Sequence, residues 1–231
     1  MAGVNVASIV PMNEVLDPAA ISLEEWCLDT LLPEFTDAES ALRFCARRRL
    51  IANTRQCITC GRACSLHLYV EGIDGRRWKC GGCGSRKSVR AGSYFEQSHL
   101  SMKQIIMMAY CWSTDMPQKV MMRESRLRSK RVAIDWCNFF RETCSFWIQN
   151  HPSEVGGYDC NGEPLVVEID ESKYFHRKYH RGQYHEGHWV FGGIERGSGR
   201  CFLVEVPNRT ADTLFSSAGL FLTFLLPVFE S

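Results

Sequence analysis

The chain has 231 residues, of which 45% are hydrophobic and 23% charged, which is enough apolar material for a real core and excludes an intrinsically disordered tail. The opening residues MAGVNVASIVPMNEVLDPAA lack a basic stretch followed by a continuous apolar run, so no secretory signal is read and a reducing compartment is expected. Twelve cysteines in such a compartment are metal ligands or small buried hydrophobes rather than a disulfide framework.

The net charge of +1 conceals a segregation. Residues 1–40 hold eight acids and no Lys or Arg, residues 41–147 hold 20 basic and 7 acidic residues, and residues 148–231 hold 7 and 11. A middle segment at +13 fits phosphate-backbone binding, in which each neutralised phosphate releases condensed counterions. In chain order, 22–31 (SLEEWCLDTL) and 37–49 (DAESALRFCARRR) read as two short helices, the second acidic at its start and basic at its end, as the helix dipole favours. SLHLYV and RRWK, separated by the turn-rich EGIDG, read as a hairpin. Helical pattern then runs from about Ser101 to Asn150 with a break near Met116-Pro117. LVVEID, HWVFGGI and RCFLVEV follow as three strands, the last two joined by the glycine-rich ERGSG.

The strongest local motif is Cys57-Ile-Thr-Cys60 followed after nineteen residues by Cys80-Gly-Gly-Cys83. Two such turns, each offering two thiolates, suit a tetrahedral structural Zn²⁺ site, with Gly61, Gly81, Gly82 and Gly84 giving the backbone its freedom. Cys64 or His67 stands as an alternative ligand, and the remaining seven cysteines (Cys27, Cys45, Cys111, Cys137, Cys144, Cys160 and Cys201) read as packing residues. In the last helical run, Val132, Trp136, Phe139 and Phe140 fall at helical spacing while Lys130, Arg131 and Arg141 stay available to solvent. This could be the third helix of a helix-turn-helix module, with Arg126, Arg128, Lys130 and Arg131 meeting DNA phosphates at its entry. The alternative is a helical bundle joining two domains. In LVVEID, alternation puts Val167 and Ile169 on one face and Val166, Glu168 and Asp170 on the other, two carboxylates side by side at a strand end. Asp170 is the better Mg²⁺ ligand, although a lone Asp there is more often a turn residue.

The run VVEIDESKYFHRKYHRGQYHEGHWVFGGIERGSGRCFLVEVPNRTADTL resembles the start of the catalytic domain of Merlin-type transposases and their bacterial insertion-sequence relatives of the ISXO group. With the double CxxC and the helical stretch, the resemblance spans roughly residues 37–214. It implies an RNase H-like catalytic domain of the DDE type, with Asp170 as the first catalytic acid and Mg²⁺ as its ion. It also puts Lys173, Arg177, Lys178 and Arg181 in a loop beside the metal, holding DNA phosphates. The implied reaction is Mg²⁺-assisted hydrolysis at transposon ends followed by attack of the freed 3′ hydroxyl on target DNA. Double-stranded DNA would be the partner, a homodimer the acting form and the nucleus the location in a eukaryotic host (the cytoplasm otherwise), with no membrane partner. The sequence departs from the family after Asp212: no second Asp in a motif like SDxWxAY follows, and no third acid. Asp212 itself reads as a helix-start acid, and residues 215–231 read as an apolar, divergent tail, so the chain is expected to be inactive alone. The fold class expected is α+β multidomain: an acidic entry segment (1–50), a zinc ribbon (54–96), a helix-turn-helix-like module (99–150), a partial RNase H-like domain (163–214) and the tail.

Overall fold

The computed structural model describes residues 7–151, 154–174 and 187–222. The chain is mixed α/β, with two small antiparallel sheets, and divides into two compact units, Met1–Phe140 and Arg141–Ser231. Among the described residues no helix is long and apolar enough to cross a membrane.

In the first unit, short helices α1 (Pro18–Ser22) and α2 (Leu28–Leu31) precede α3 (Ala38–Arg47). The single helix expected over 22–31 is therefore broken. Tertiary contacts explain this: Glu24 accepts two hydrogen bonds from Arg48, at 2.7 and 2.8 Å, and Trp26 packs edge-on against Phe44 at 5.6 Å. Residues 23–27 follow those partners instead of a helical path. Helix α3 starts on a capping box, with the Asp37 carboxylate accepting from the Ser40 N–H at 2.7 Å and the Ser40 hydroxyl accepting from the Asp37 N–H at 2.9 Å.

The first sheet is β1 (Cys64–Leu68), β2 (Arg76–Cys80) and β3 (Arg86–Ser88), in that order. Its hairpin matches the expected pair of strands, and β3 is an addition that Arg86 and Lys87 hid from a search for apolar alternation. Helices α4 (Met102–Ser113), α5 (Gln118–Glu124) and α6 (Lys130–Asn150) follow, with Ser101 and Gln104 forming a second capping box on α4. The entry segment, the sheet and the helices up to Phe140 share one apolar core, which includes Phe35, Leu42, Trp78, Val89, Met108 and Trp136.

Arg90 fastens this core from within. Only 4% exposed, it donates to both carboxylate oxygens of Asp74 in the β1–β2 turn, at 2.6 and 2.7 Å, and to the carbonyls of Ser98 and Leu100, at 3.0 and 2.7 Å. Removing one member of such a buried pair strands the other's charge.

The second unit is a meander of β4 (Val167–Tyr174), β5 (His188–Glu195) and β6 (Cys201–Val206), closed by α7 (Ala211–Ala218). Cross-strand register places Ile169 beside Gly193 and Gly193 beside Phe202. A side chain at Gly193 would come within 2.5 Å of the Phe202 ring, so glycine there is what lets that ring lie on the sheet. Phe191, Phe202, Val206, Val155 and Ala218 form the core. The expected separate tail begins inside this fold: α7 runs to Ala218, Phe221 stacks on Phe202 at 4.9 Å, and Leu222 packs on the same cluster. Residues 223–231 lie outside the described residues.

Glu195, 2% exposed, accepts from the Ser198 hydroxyl at 2.6 Å, from Arg200 and from the Gly156 N–H, both at 2.8 Å. The Ser198 hydroxyl first, then Arg200 and the Gly156 N–H, hold its carboxyl down at about 2.

Arg90→Ala is expected to cost roughly 3–5 kcal/mol of stability, measured by urea denaturation of the first unit's tryptophan signal. Because Glu195 is lowered below the ordinary carboxylate range, its contribution is complete above pH 4–5, roughly the unfolded value. It should vanish as pH falls towards 2, visible as faster amide exchange in β5 and β6; Glu195→Gln should show that fast exchange already at pH 6.

Candidate metal centre

The two CxxC turns fold as copies of one another. In the first, the Gly61 N–H donates to the Cys57 carbonyl at 2.8 Å and the Cys57 N–H to Arg62 at 2.8 Å. In the second, the Gly84 N–H donates to Cys80 at 3.0 Å and the Cys80 N–H to Ser85 at 2.8 Å. Both turns close on a glycine in the left-handed region, Gly61 at φ 70° and Gly84 at φ 73°, where a Cβ is costly. Gly81 and Gly82 carry no such φ.

Because Cys64 pairs with Cys80 across β1 and β2, the hairpin brings the second turn back beside the first. The sulfurs of Cys57, Cys60, Cys80 and Cys83 all lie within 4.8 Å of one another, with Cys57–Cys83 and Cys60–Cys80 at 3.4 Å. A tetrahedron with metal–sulfur bonds of about 2.3 Å has edges of about 3.8 Å, so the cluster has the dimensions to hold a metal ion such as zinc. Neither Cys64 nor His67 belongs to this cluster.

The backbone around Cys57 and Cys80 favours the charged form of these two sulfurs. The backbone N–H groups of Thr59 and Cys60 bring Cys57 down to about 6, and those of Cys83 and Gly82 lower Cys80. The Arg62 N–H lowers Cys60, but the sulfurs of Cys80, Cys83 and Cys57 oppose it and prevail, to about 12. Four thiolates so close repel one another unless a metal ion neutralises them.

The other cysteines divide. Cys45, Cys111 and Cys137 are buried, as packing residues should be, but Cys27, Cys144, Cys160 and Cys201 are exposed; spacing carries no signal for that difference.

Arg126, Arg128, Lys130 and Arg131 lie together at the α5–α6 junction and are all exposed. None belongs to an ion pair among the described residues. Arg126 is also the residue that ends α5: at φ 53° it occupies the position usually given to glycine, its N–H reaching Arg123 at 3.1 Å while Leu127 reaches Met122 at 2.8 Å. Trp136 and Phe140 are buried, whereas Phe139 is 45% exposed.

Asp170 lies on the face of β4 that alternation assigns it, with Glu168, Ser172 and Tyr174, opposite the α7-covered core face. Yet β4 continues to Tyr174, so Asp170 is mid-strand and Lys173 belongs to the strand, not to a loop. Lys173 sits over the Trp189 ring at 5.5 Å. Arg177, Lys178 and Arg181 lie outside the described residues. The Asp170 carboxylate accepts from the Glu171 N–H at 2.9 Å and borders a depression of about 300 Å³ with Glu168, Gly192 and Leu203. Glu168 is held by Arg196. Among the described residues, only the four cysteines assemble as three or more metal-ligating side chains. Asp212 is in the first turn of α7, behind the cap Thr210.

No protein-family model, curated protein or solved structure matches this chain.

Purified without chelator, the chain is expected to contain one metal ion per molecule by elemental analysis, and Cys83→Ser to lose most of it. Protons compete with the ion for the thiols, so a chelator should strip it more readily at pH 5.5 than at pH 7.5.

Proposed function

We propose that the chain is a DNA-binding protein related to Merlin-type transposases, in which a helix-turn-helix-like module, carried beside a zinc ribbon, engages transposon-end DNA. The observation that carries this reading is the group Arg126, Arg128, Lys130 and Arg131: four exposed cations without ion pairs at the start of a 21-residue helix. Guanidinium and ammonium groups so placed can meet successive phosphates while the helix start adds its partial positive charge. The four-cysteine cluster in the same unit supports zinc as its ion, because an all-thiolate site of this size is closed to water and structural in character.

The three antiparallel strands followed by a helix agree with the start of an RNase H-like domain that the resemblance implies, and Asp170 would be its first acid, binding Mg²⁺. A non-catalytic DNA-binding protein is the second reading. What favours it is the poverty of ligands around Asp170 among the described residues: the acid beside it, Glu168, is engaged by Arg196, and Mg²⁺-assisted strand cleavage depends on several carboxylates fixed around the ions.

The test is fluorescence anisotropy of the zinc-loaded full chain with a labelled 30-base-pair duplex across a salt series. Replacing the four cations by Gln should weaken binding at least tenfold in 100 mM salt and lower the salt slope by about 3 to 4. Asp170→Ala should leave binding unchanged; loss of Mg²⁺-dependent nicking in that variant would restore the catalytic reading. A wild-type chain that binds no duplex at 50 mM salt would overturn the DNA reading altogether.

A further inference from the structure

The outer face of the first sheet is unlike its inner one. On β2, Trp78 and Cys80 turn into the core, at 0% and 1% exposure, so alternation sends Arg77 and Lys79 to the opposite face. Register then sets Arg77 between His67 and Ser88, and Lys79 between Ser65 and Arg86. This face therefore carries Arg77, Lys79 and Arg86 with His67 and two serines, and no acid.

Beside it lies a cavity of about 380 Å³ lined by, among others, Tyr69, Arg77, Arg86, Lys87 and His99. Lys87 and Arg86 are exposed, and Arg77, Lys79, Arg86 and Lys87 form no ion pair among the described residues. The one acid in the lining, Asp74, is occupied by Arg90. Arg77 lies over the Tyr69 ring at 4.4 Å, and its Nε is shut away from solvent with no hydrogen-bond acceptor. A guanidinium held on an aromatic ring keeps its orientation and its charge.

The cavity continues towards the helices. Gln97, Ser98 and His99 also line a second hollow formed with Val132, Asp135, Trp136 and Phe139 of α6. A strand of linked phosphates is the occupant these features fit: several cations at strand spacing on a sheet face without an acid, and a neighbouring hollow, in which Glu96 and Asp135 are the acids, leading towards α6. Isolated small anions would leave most of the face unused.

We infer that the outer face of β1–β3, through Lys79 and Arg86 with Arg77 held on Tyr69, together with Lys87 lining the adjoining cavity, is a second binding surface for the phosphate backbone of DNA. This inference rests on the DNA reading above and extends the footprint from α6 onto the sheet.

The experiment uses the zinc-loaded full chain carrying Lys79→Gln, Arg86→Gln and Lys87→Gln, with the same labelled duplex and salt series. Zinc content and the circular dichroism spectrum establish that the variant is folded, and Arg86→Gln/Lys87→Gln alone serves if the triple variant is not. The triple variant should bind at least tenfold more weakly at 100 mM salt with a slope smaller by about 2 to 3, and restoring Arg86 should recover part of both. An unchanged Kd and slope, in a protein whose α6 variant does lose binding, would overturn the sheet surface and leave the DNA reading intact. Loss of affinity for phosphatidylserine-containing vesicles with no change towards the duplex would overturn it in favour of an acidic membrane. No binding by the wild-type chain would remove both readings together.

Discussion

Arg90 joins parts of the chain that would otherwise have little reason to stay together. A three-stranded sheet of this size buries little apolar surface by itself, and the helices that follow need a fixed point of departure. One guanidinium answers the Asp74 carboxylate in the sheet's turn and the Ser98 and Leu100 carbonyls immediately before α4. Those carbonyls would otherwise be poorly satisfied beside the core. The four-cysteine cluster closes the sheet at one end and Arg90 closes it at the other, so the surface between them is a platform rather than a loose hairpin.

Where the sequence announced its structure, it did so through chemistry that admits few alternatives. Two CxxC turns at hairpin separation could hardly be anything but neighbours, and Asp37 and Ser101 declared the starts of α3 and α4. The helix ends were harder to read for a definite reason. Helices α3, α4 and α5 all close with left-handed residues whose N–H groups bond back into the last turn, yet those residues are Arg49, Asp115 and Arg126 rather than glycine. The usual sign of a helix end is missing, and after α4 and α5 the packing of Met116 and Leu127 against the core offsets the conformational cost.

The strand carrying Asp170 shows the opposite limit. Alternation gave its faces correctly, but not its length, because Glu171, Ser172 and Lys173 look like the polar residues of a loop. Register against β5 extends the strand through them: Glu171 pairs with Phe191 and Lys173 with Trp189. The alternating pattern is blurred because β4 lies at the edge of the meander, where even Ile169 remains 57% exposed.

The acidic entry segment gives the charge pattern a meaning that counting could not supply. Glu14 holds Arg43 and Arg47, Glu24 holds Arg48, and Glu39 holds Arg76. Mobile salt ions leave a protein surface when the buffer is diluted, but tethered glutamates do not. Part of the basic surface is thus masked at every ionic strength. A basic protein ordinarily becomes indiscriminate as salt is removed; this one carries its own shielding, and keeps its open charge to the places where the fold has left it uncovered.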